Sequence, residues 1–409
     1  MSFLLSRQPI FDRHERIVAY ALLHAGGSGG DEATDQLLVD TALGGDVEQL
    51  TDGRRAHLKV SPSLLSSPTI QLLDPRRLAL ELRSDAVADD AVRVACRDLS
   101  LAGYDVVLDR FRFSEPSASL LPHIRMIKVD LRDHGPASLT RLAAQVRPYG
   151  VRLLAEHAEN RAVRDACLRL GFELFQGYRF TQPEVLARHD LPIQHVQTFK
   201  LLKELRDPQV HESVVEESFR RDVSLSYKLL RMVNSAALGG RGVWSIGHAV
   251  RLMGREALYR WVTLLLLSSV TEGGVQAELT YTSLLRGRLC ELLAVPLGMR
   301  PAGGPLFLVG VFSLLDLIMG SPMGEIVARL EVDEEVADAL LHRAGFFGAV
   351  LALVEAYENG QWDVVNTLGE QLGIAPGVLA EQYMEAVGWA RARAGDLNEP
   401  ATTVAAIHG

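Results

Sequence analysis

The first half of the chain alternates short apolar runs with helix-like segments, and this alternation restricts the fold more than any other feature. Runs such as Asp105–Asp109 and Met126–Asp130 are apolar in the middle and end in an acidic residue. Segments with helical periodicity, residues 137–147 and 159–170, follow such runs. Strands that alternate with helices form parallel sheets or barrels. Across residues 1–190 the repeated polar strand ends favour a closed β/α barrel over an open sheet.

The other elements of this half extend the same pattern. Two apolar runs, residues 3–11 and 16–23, flank the polar tetrad Asp12–Glu15 and predict an opening hairpin. The remaining strands expected from apolar runs are residues 57–60, 78–82, 151–156 and 173–178, and the remaining helices are residues 33–50 and 86–101.

The second half changes character after Pro192, where strand-like patterns almost disappear. Segments with helical spacing of apolar residues follow one another, separated by Gly or Pro. The expected helices are residues 224–233, 248–270, 281–295, 305–319, 324–330, 333–343, 346–359, 361–372 and 376–394. The predicted fold class is therefore α/β plus all-α, with a barrel domain over residues 1–190 and an all-helical domain over residues 191–400.

Composition excludes several classes of protein. The 409 residues carry a net charge of −9, which argues against broad nucleic-acid binding, although a local basic patch stays open. Cys96, Cys167 and Cys290 are far apart and predict buried, reduced thiols in a cytoplasmic protein. The apolar runs Trp261–Leu267 and Leu306–Gly320 are too short or interrupted for a bilayer, so we expect no membrane span.

Polar residues stand at the predicted strand ends of the first half. In a β/α barrel the carboxyl ends of the strands meet at one face, where catalytic residues collect. Carboxylates and a lysine there would suit metal-dependent hydrolysis of a phosphate ester. Any one of them alone is as well explained by the ordinary polarity of strand ends. The set is Lys59, Glu81, Asp109, Arg110, Lys128, Asp130, Glu156 and Gln176.

These strand ends, together with the opening segments Arg7–Asp12 and Val18–Leu23, resemble the EAL domain family of bacterial cyclic-di-GMP phosphodiesterases. The match covers residues 1–190, with its motifs in order and suitably spaced. The resemblance implies a modified β/α barrel of the TIM type, with its first strand reversed. The later matching motifs are Leu80–Leu82, Leu108–Asp109, Ile127–Asp130, Leu154–Glu156 and Phe175–Tyr178 with Pro183.

The departures from the family pattern concern metal binding. The resemblance implies that Ala21 stands at the glutamate ligand, Lys59 at an asparagine ligand, and Arg110 at the second of two aspartates. The glycine-rich loop of active members corresponds to Arg112–Glu115. The family positions that are retained are Glu81, Asp109, Lys128, Glu156 and Gln176.

These replacements predict a barrel without catalysis, cofactor or bound metal. A methyl group replaces one ligand, and two positive charges replace two others, so dications are repelled. Lys59 or Arg110 is expected within salt-bridge reach of Glu81 or Asp109, with no metal ion between them.

The second half resembles the HDOD domain, a helical module related to HD phosphohydrolases but without their metal centre. The segments that carry the resemblance are Leu201–Leu205, Ser224–Ala236, Ser245–Gly254 and Leu306–Leu317. The dipeptide His189-Asp190 lies in the predicted linker. His211, His248 and His342 show no ligand spacing, so we expect surface or capping histidines.

The order of the two domains resembles that of the bacterial EAL-HDOD proteins (YuxH type). The resemblance implies a non-enzymatic signalling scaffold that binds other signalling proteins, linked to cyclic-di-GMP, with homodimer formation left open. One alternative is a phosphodiesterase that uses Glu81, Asp109 and Glu156. The other is a receptor that binds cyclic-di-GMP weakly, without cleaving it, through Lys59, Arg110 and Lys128.

Overall fold

The computed structural model describes residues 4–24, 39, 46–158, 160–177, 193–234, 243, 245–268, 274–330 and 332–398. The chain divides into two units. The first comprises residues 1–184 with residues 352–387, and the second comprises residues 185–351 with residues 388–409. Residues 352–387 therefore group with the barrel although they lie far from it in sequence. The domain bounds 1–190 and 191–400 stay a prediction.

Eight strands close a barrel in chain order, which confirms the predicted fold. Strand β1 runs antiparallel to both of its neighbours, β2 and β8, and every other neighbouring pair is parallel. This is the barrel with a reversed first strand that the resemblance implied. The strands are β1 Leu5–Asp12, β2 Ile17–His24, β3 Arg55–Lys59, β4 Leu78–Arg83, β5 Asp105–Asp109, β6 Met126–Asp130, β7 Arg152–Glu156 and β8 Leu174–Gln176.

The opening hairpin is confirmed, and its turn depends on Asp12. The Asp12 carboxylate accepts hydrogen bonds from the backbone amides of His14 and Arg16. Glu15 takes the left-handed conformation, with φ of 61°. An aspartate that bonds to the backbone two residues later is a frequent solution in tight turns.

Within the described residues, the helices α1 to α6 accompany the strands in the first part of the chain. They are α1 Asp46–Thr51, α2 Pro62–Leu65, α3 Asp90–Leu101, α4 Glu115–Leu120, α5 Pro136–Val146 and α6 Arg161–Leu170. Side-chain caps begin several of them: the Asp89 carboxylate accepts from Ala91 N, and the Asn160 amide oxygen from Val163 N. The predicted helix over residues 33–50 lies mostly outside the described residues.

Small and medium apolar side chains fill the barrel interior. Ala21 is one of them and is 1% exposed. Every second residue of a strand faces inward, and these inward-facing side chains pack against one another. The interior is therefore a packed core and not a channel. The cluster consists of Ile10, Ala19, Ala21, Ala79, Val107, Met126, Leu154 and Leu174.

The rest of the described chain is helical, as predicted. The helices are α7 Ile193–Arg206, α8 Glu212–Arg220, α9 Val223–Val233, α10 Ile246–Met253, α11 Arg255–Ser268, α12 Gly274–Leu293, α13 Gly303–Phe312, α14 Leu315–Met319, α15 Met323–Leu330, α16 Glu334–His342, α17 Gly345–Glu358, α18 Trp362–Leu372 and α19 Pro376–Asn398.

Two predicted helices are each divided in the structure. The segment 248–270 breaks at Gly254, whose φ of 75° is left-handed and ends α10. The segment 305–319 breaks at Ser313 and Leu314, between α13 and α14. Trp261 on α11 is 1% exposed and stacks on Phe219 with ring centroids 6.3 Å apart, so it is a core aromatic.

Cys96, Cys167 and Cys290 are buried thiols that form no disulfide, as predicted. Burial raises the pKa of the Cys96 thiol and of the Cys167 thiol to about 11. Both are therefore protonated, unreactive thiols at neutral pH.

Among the described residues, one stretch, Glu334–Glu358, meets the length and hydropathy expected of a membrane span. Buried core helices of water-soluble proteins meet the same criteria. The stretch is interrupted at Arg343, whose φ of 54° separates α16 from α17.

Candidate functional site

The carboxyl ends of strands β3 to β8 bring the predicted polar residues to one face of the barrel. Lys59 on β3 lies beside Glu81 on β4 in the strand register. Asp130 on β6 lies beside Glu156 on β7, which lies beside Gln176 on β8. We call this face the barrel mouth.

Lys128 is the central cation of the barrel mouth. Its side chain is fully buried, and its Nζ lies 2.9 Å from Glu81 Oε2 and 2.9 Å from Glu156 Oε1. Burial alone would lower the pKa of Lys128, but Glu156 and Glu81 hold it well above its usual range. Burial alone would raise the pKa of Glu81, but Lys128 and His57 hold it well below its usual range. Lys128 and Glu81 are therefore both charged at neutral pH.

His57 is a site residue that the sequence analysis missed. Its Nδ1 lies 3.0 Å from Glu81 Oε1, and the residue is 3% exposed. His57 stands two residues before Lys59 on β3, so the two share one face of the strand. That period of two is the signal that could have identified it.

Asp109 forms the ion pair that the sequence predicted. Lys59 Nζ lies 3.2 Å from Asp109 Oδ2, and the Asp109 side chain is 3% exposed, against 42% for Lys59. The ammonium group therefore covers the carboxylate from the solvent side. This pair confirms the prediction that Lys59 or Arg110 lies within salt-bridge reach of Glu81 or Asp109.

Asp130 is held by two partners that the sequence did not reveal. Arg132 donates two side-chain hydrogen bonds to it, Nε to Oδ1 at 3.0 Å and one terminal guanidinium nitrogen to Oδ2 at 2.7 Å. His157 Nδ1 lies 3.2 Å from Asp130 Oδ1. Burial alone would raise the pKa of Asp130, but these contacts, with Arg132 first, lower it to about 2.

Of the two candidate cations, Lys59 makes the predicted ion pair and Arg110 does not. Its guanidinium instead lies 3.9 Å from Asp130 Oδ2. Arg110 has a φ of 47°, and its backbone amide donates to Asp109 Oδ1. The left-handed conformation turns the chain at the end of β5, so Arg110 and Asp109 do not share a face.

One set of donors within the described part of the chain is close enough to share a metal ion. The donor atoms of Asp130, Glu156 and His157 lie within 4.8 Å of one another. It is not the set that the resemblance implies. Since Arg132 already bonds to both Asp130 oxygens and Lys128 to Glu156, a cation would have to displace these partners.

Two further predicted positions, Ala21 and Gln176, take no part in these ion pairs. Ala21 pairs with His57 across β2 and β3 and belongs to the apolar interior. Gln176 donates through Nε2 to Gln8 Oε1 at 2.8 Å, which joins β8 to β1. A cleft of about 340 Å³ opens beside Lys59, Glu81 and Asp109.

Among its described residues, the helical segment that resembles the HDOD domain has no set of His, Cys, Asp or Glu side chains close enough to share a metal ion. His211 caps α8 by accepting a hydrogen bond from Ser213 N, while His248 and His342 are exposed. The side chain of Asn234 donates through Nδ2 to Val243 O and accepts through Oδ1 from Val243 N, each at 2.6 Å. His189, Asp190, Trp244 and Ser235 lie outside the described residues.

Comparison with known proteins finds one matching domain family and two similar proteins. The model of the HDOD domain family matches residues 191–317. YuxH of Bacillus subtilis is 32% identical over 409 aligned residues, which cover 95% of this chain and 98% of YuxH. The cyclic di-GMP phosphodiesterase CdgJ of Vibrio cholerae is 27% identical over 400 residues, 95% of this chain and 92% of CdgJ.

Solved EAL domains are similar to part of the chain. The EAL domain of Mycobacterium smegmatis DcpA gives a TM-score of 0.38 at 20% identity, covering 44% of this chain and 92% of that one. The FimX EAL domain of Pseudomonas aeruginosa, bound to cyclic-di-GMP, gives 0.36 at 16% identity, with 44% and 89% covered.

Proposed function

We propose, from the premise that this chain belongs to the EAL-HDOD family that includes YuxH, that it is a non-enzymatic signalling scaffold in a cyclic-di-GMP network. In this proposal the protein is cytoplasmic and binds other signalling proteins through its barrel and its HDOD domain. A homodimer is compatible with it. The observation that carries the proposal is the ion pair between Lys59 and Asp109 at 3.2 Å.

The charge balance of the barrel mouth is the reason. Two-metal hydrolysis requires carboxylates whose negative charge is available to the cations. Here Asp109 is covered by Lys59, Asp130 by Arg132, and Glu81 and Glu156 by Lys128. Where the family pattern expects a further carboxylate, Ala21 offers a methyl group. A lysine or arginine side chain at close range repels a dication. These residues therefore do not fit a pair of metal ions.

A second candidate function is cyclic-di-GMP hydrolysis. The observation that favours it is the likeness over almost the whole chain to CdgJ, which is named as a phosphodiesterase. In that case Glu81, Asp109 and Glu156 would have to exchange their lysine partners for metal ions. A third candidate, a receptor without turnover, would use Lys59 and Arg110 toward phosphate.

Calorimetry of the full-length protein with cyclic-di-GMP, with and without Mg²⁺ or Mn²⁺, followed by product analysis, separates the three. The scaffold proposal expects neither heat of binding nor linear dinucleotide. Linear product that is absent from a Glu81→Gln variant would overturn it in favour of the enzyme. Tight binding without product would favour the receptor.

A further inference from the structure

We propose that the loop Arg110–Phe113, after β5, is a docking surface for an acidic segment of a partner protein. The inference rests on the proposed scaffold function and states the chemistry of the partner. The loop lies at the barrel mouth, at the end of the strand that carries Asp109. Its sequence alternates arginine and phenylalanine: Arg110, Phe111, Arg112, Phe113.

Hydrogen bonds fix the backbone of this loop on both sides. Phe111 N donates to Lys128 O at 2.9 Å, which ties the loop to β6. Arg112 N donates to Ser84 Oγ at 3.3 Å, and Ser117 Oγ donates to Arg112 O at 3.0 Å. A loop that is already ordered loses little conformational entropy when a partner binds.

The two arginine side chains are available to a partner. The Arg110 side chain is 49% exposed and the Arg112 side chain 78% exposed. Their guanidinium groups lie 3.9 Å from Asp130 and 3.8 Å from Asp133, which is beyond hydrogen-bond distance. Within the described chain neither guanidinium donates a hydrogen bond. Each can therefore offer its planar pair of donors to a carboxylate.

An aromatic side chain next to the two arginines adds an apolar surface that a partner can cover. Phe113 is 36% exposed and packs edge-on against the buried ring of Phe111, with centroids 6.5 Å apart. Arginine and aromatic residues are the types enriched at protein interfaces. The loop thus offers charge recognition and apolar burial within four residues.

The charges of the barrel mouth are layered, with carboxylates inside and cations outside. Asp109 and Asp130 are nearly inaccessible, whereas Arg83 and Arg132 on either side of the loop expose 63% and 52% of their side chains. Adjacent strands are about 5 Å apart, so cations from β4 to β6 span about 10 Å. That distance corresponds to roughly three residues of extended chain. An arc of this length fits a segment with several carboxylates better than one phosphate group.

Two exposed acids limit the attraction. Asp85 pairs with Arg83, and Asp133 lies beside Arg112. The attraction is therefore strongest at the loop itself, and it should weaken with added salt because the groups are exposed.

Fluorescence polarisation of the full-length protein with a labelled peptide of glutamate and leucine tests the proposal. We expect saturable, salt-sensitive binding that weakens at least about tenfold in the double variant Arg110→Glu/Arg112→Glu. The matched control, Arg141→Glu/Arg147→Glu, reverses two exposed arginines at helix α5 and its end, and should leave binding within about twofold of wild type.

Equal binding by the loop variant, or no binding by the wild type, would overturn the proposal. Binding of cyclic-di-GMP but not of the peptide, abolished by the loop variant, would assign the loop to a nucleotide and overturn it as well. Turnover of cyclic-di-GMP would defeat the scaffold function separately, because peptide binding is measured without metal or nucleotide.

Discussion

Lys128 is the fully buried cation of the barrel mouth. It is 0% exposed and contacts the carboxyl groups of Glu81 and Glu156, each at 2.9 Å. Residues of this kind were predictable, because strand-end positions follow from the apolar runs alone. The partners Arg132 and His157 were not, because they lie beyond the strand ends, where loop conformation decides which side chain meets which carboxylate.

Replacing Lys128 with methionine should strongly destabilise the barrel. The change leaves Glu81 and Glu156 buried without their cation, and breaking a buried pair in this way costs about 3–5 kcal/mol. Urea denaturation measures the loss. The control Lys200→Met removes a lysine that is 62% exposed and 3.8 Å from Glu204, and should cost less than about 1 kcal/mol. Equal losses in the two variants would refute the role given to Lys128.

His157 should make the folded state less stable in mild acid. Burial lowers the pKa of His157, more than Asp130 and Glu156 raise it. The unfolded chain therefore takes up a proton first as the pH falls through about 6.5, and stability is lost in that range. His157→Asn removes this contribution, and asparagine tolerates the φ of 59° found here.

The measurement is the free energy of unfolding at pH 7.5 and pH 5.5. We expect a smaller fall with acidification in His157→Asn than in the wild type. His14→Asn, at an exposed turn position, is the control and should behave like the wild type. An unchanged or steeper fall in His157→Asn would contradict the assignment.

At the scale of elements, helices α12 and α13 cross in backbone contact. A Cβ atom at Gly310 would lie 2.6 Å from Arg286 O and 2.6 Å from Gly287 Cα, so only glycine fits. On the facing helix, a Cβ at Gly287 would lie 2.4 Å from a Val311 methyl group. Two glycines on facing helices therefore set the distance between them.

Gly310→Ala should destabilise the helical unit by about 1–3 kcal/mol, the usual cost of overpacking. The matched control is Gly324→Ala on α15, where a Cβ meets nothing within 4 Å. That substitution should be neutral or stabilising by up to about 1 kcal/mol, because alanine favours helix. Thermal unfolding followed by circular dichroism gives both values, and a neutral Gly310→Ala would contradict the close crossing.

The elements themselves were largely predictable, and the exceptions have physical causes. Strands 105–109 and 126–130 match the structure because each is an apolar run bounded by polar residues. The segments 248–270 and 305–319 were predicted as single helices because their apolar spacing continues across the break. In the first, the left-handed Gly254 interrupts the backbone without interrupting the pattern.

At the largest scale, a helix late in the sequence contacts the first strand of the barrel. Tyr357 on α17 accepts a hydrogen bond from Leu5 N at 3.3 Å and donates one to Leu5 O at 3.1 Å. Its ring packs against Tyr383 and Trp362, with centroids 4.8 Å and 5.4 Å away. Sequence patterns indicated that these helices have a buried face, but not which surface covers it.

Tyr357→Phe should weaken this contact by about 1–3 kcal/mol, because it leaves polar groups of a buried backbone without a partner. Hydrogen exchange at the Leu5 amide should accelerate correspondingly. Tyr227→Phe, at a residue that is 64% exposed, is the control and should change stability by less than about 0.5 kcal/mol. Unchanged exchange at Leu5 would show that residues 352–387 do not hold the first strand.

Across the whole barrel mouth, we infer that the Lys59 ammonium group takes the place of a metal ion beside Asp109. Electron paramagnetic resonance of free Mn²⁺, titrated with the full-length protein, tests it most directly, with Asp109→Asn as the background. We expect the wild type and Asp109→Asn to leave the same amount of Mn²⁺ free. A stoichiometric Mn²⁺ site in the wild type that Asp109→Asn abolishes would contradict it.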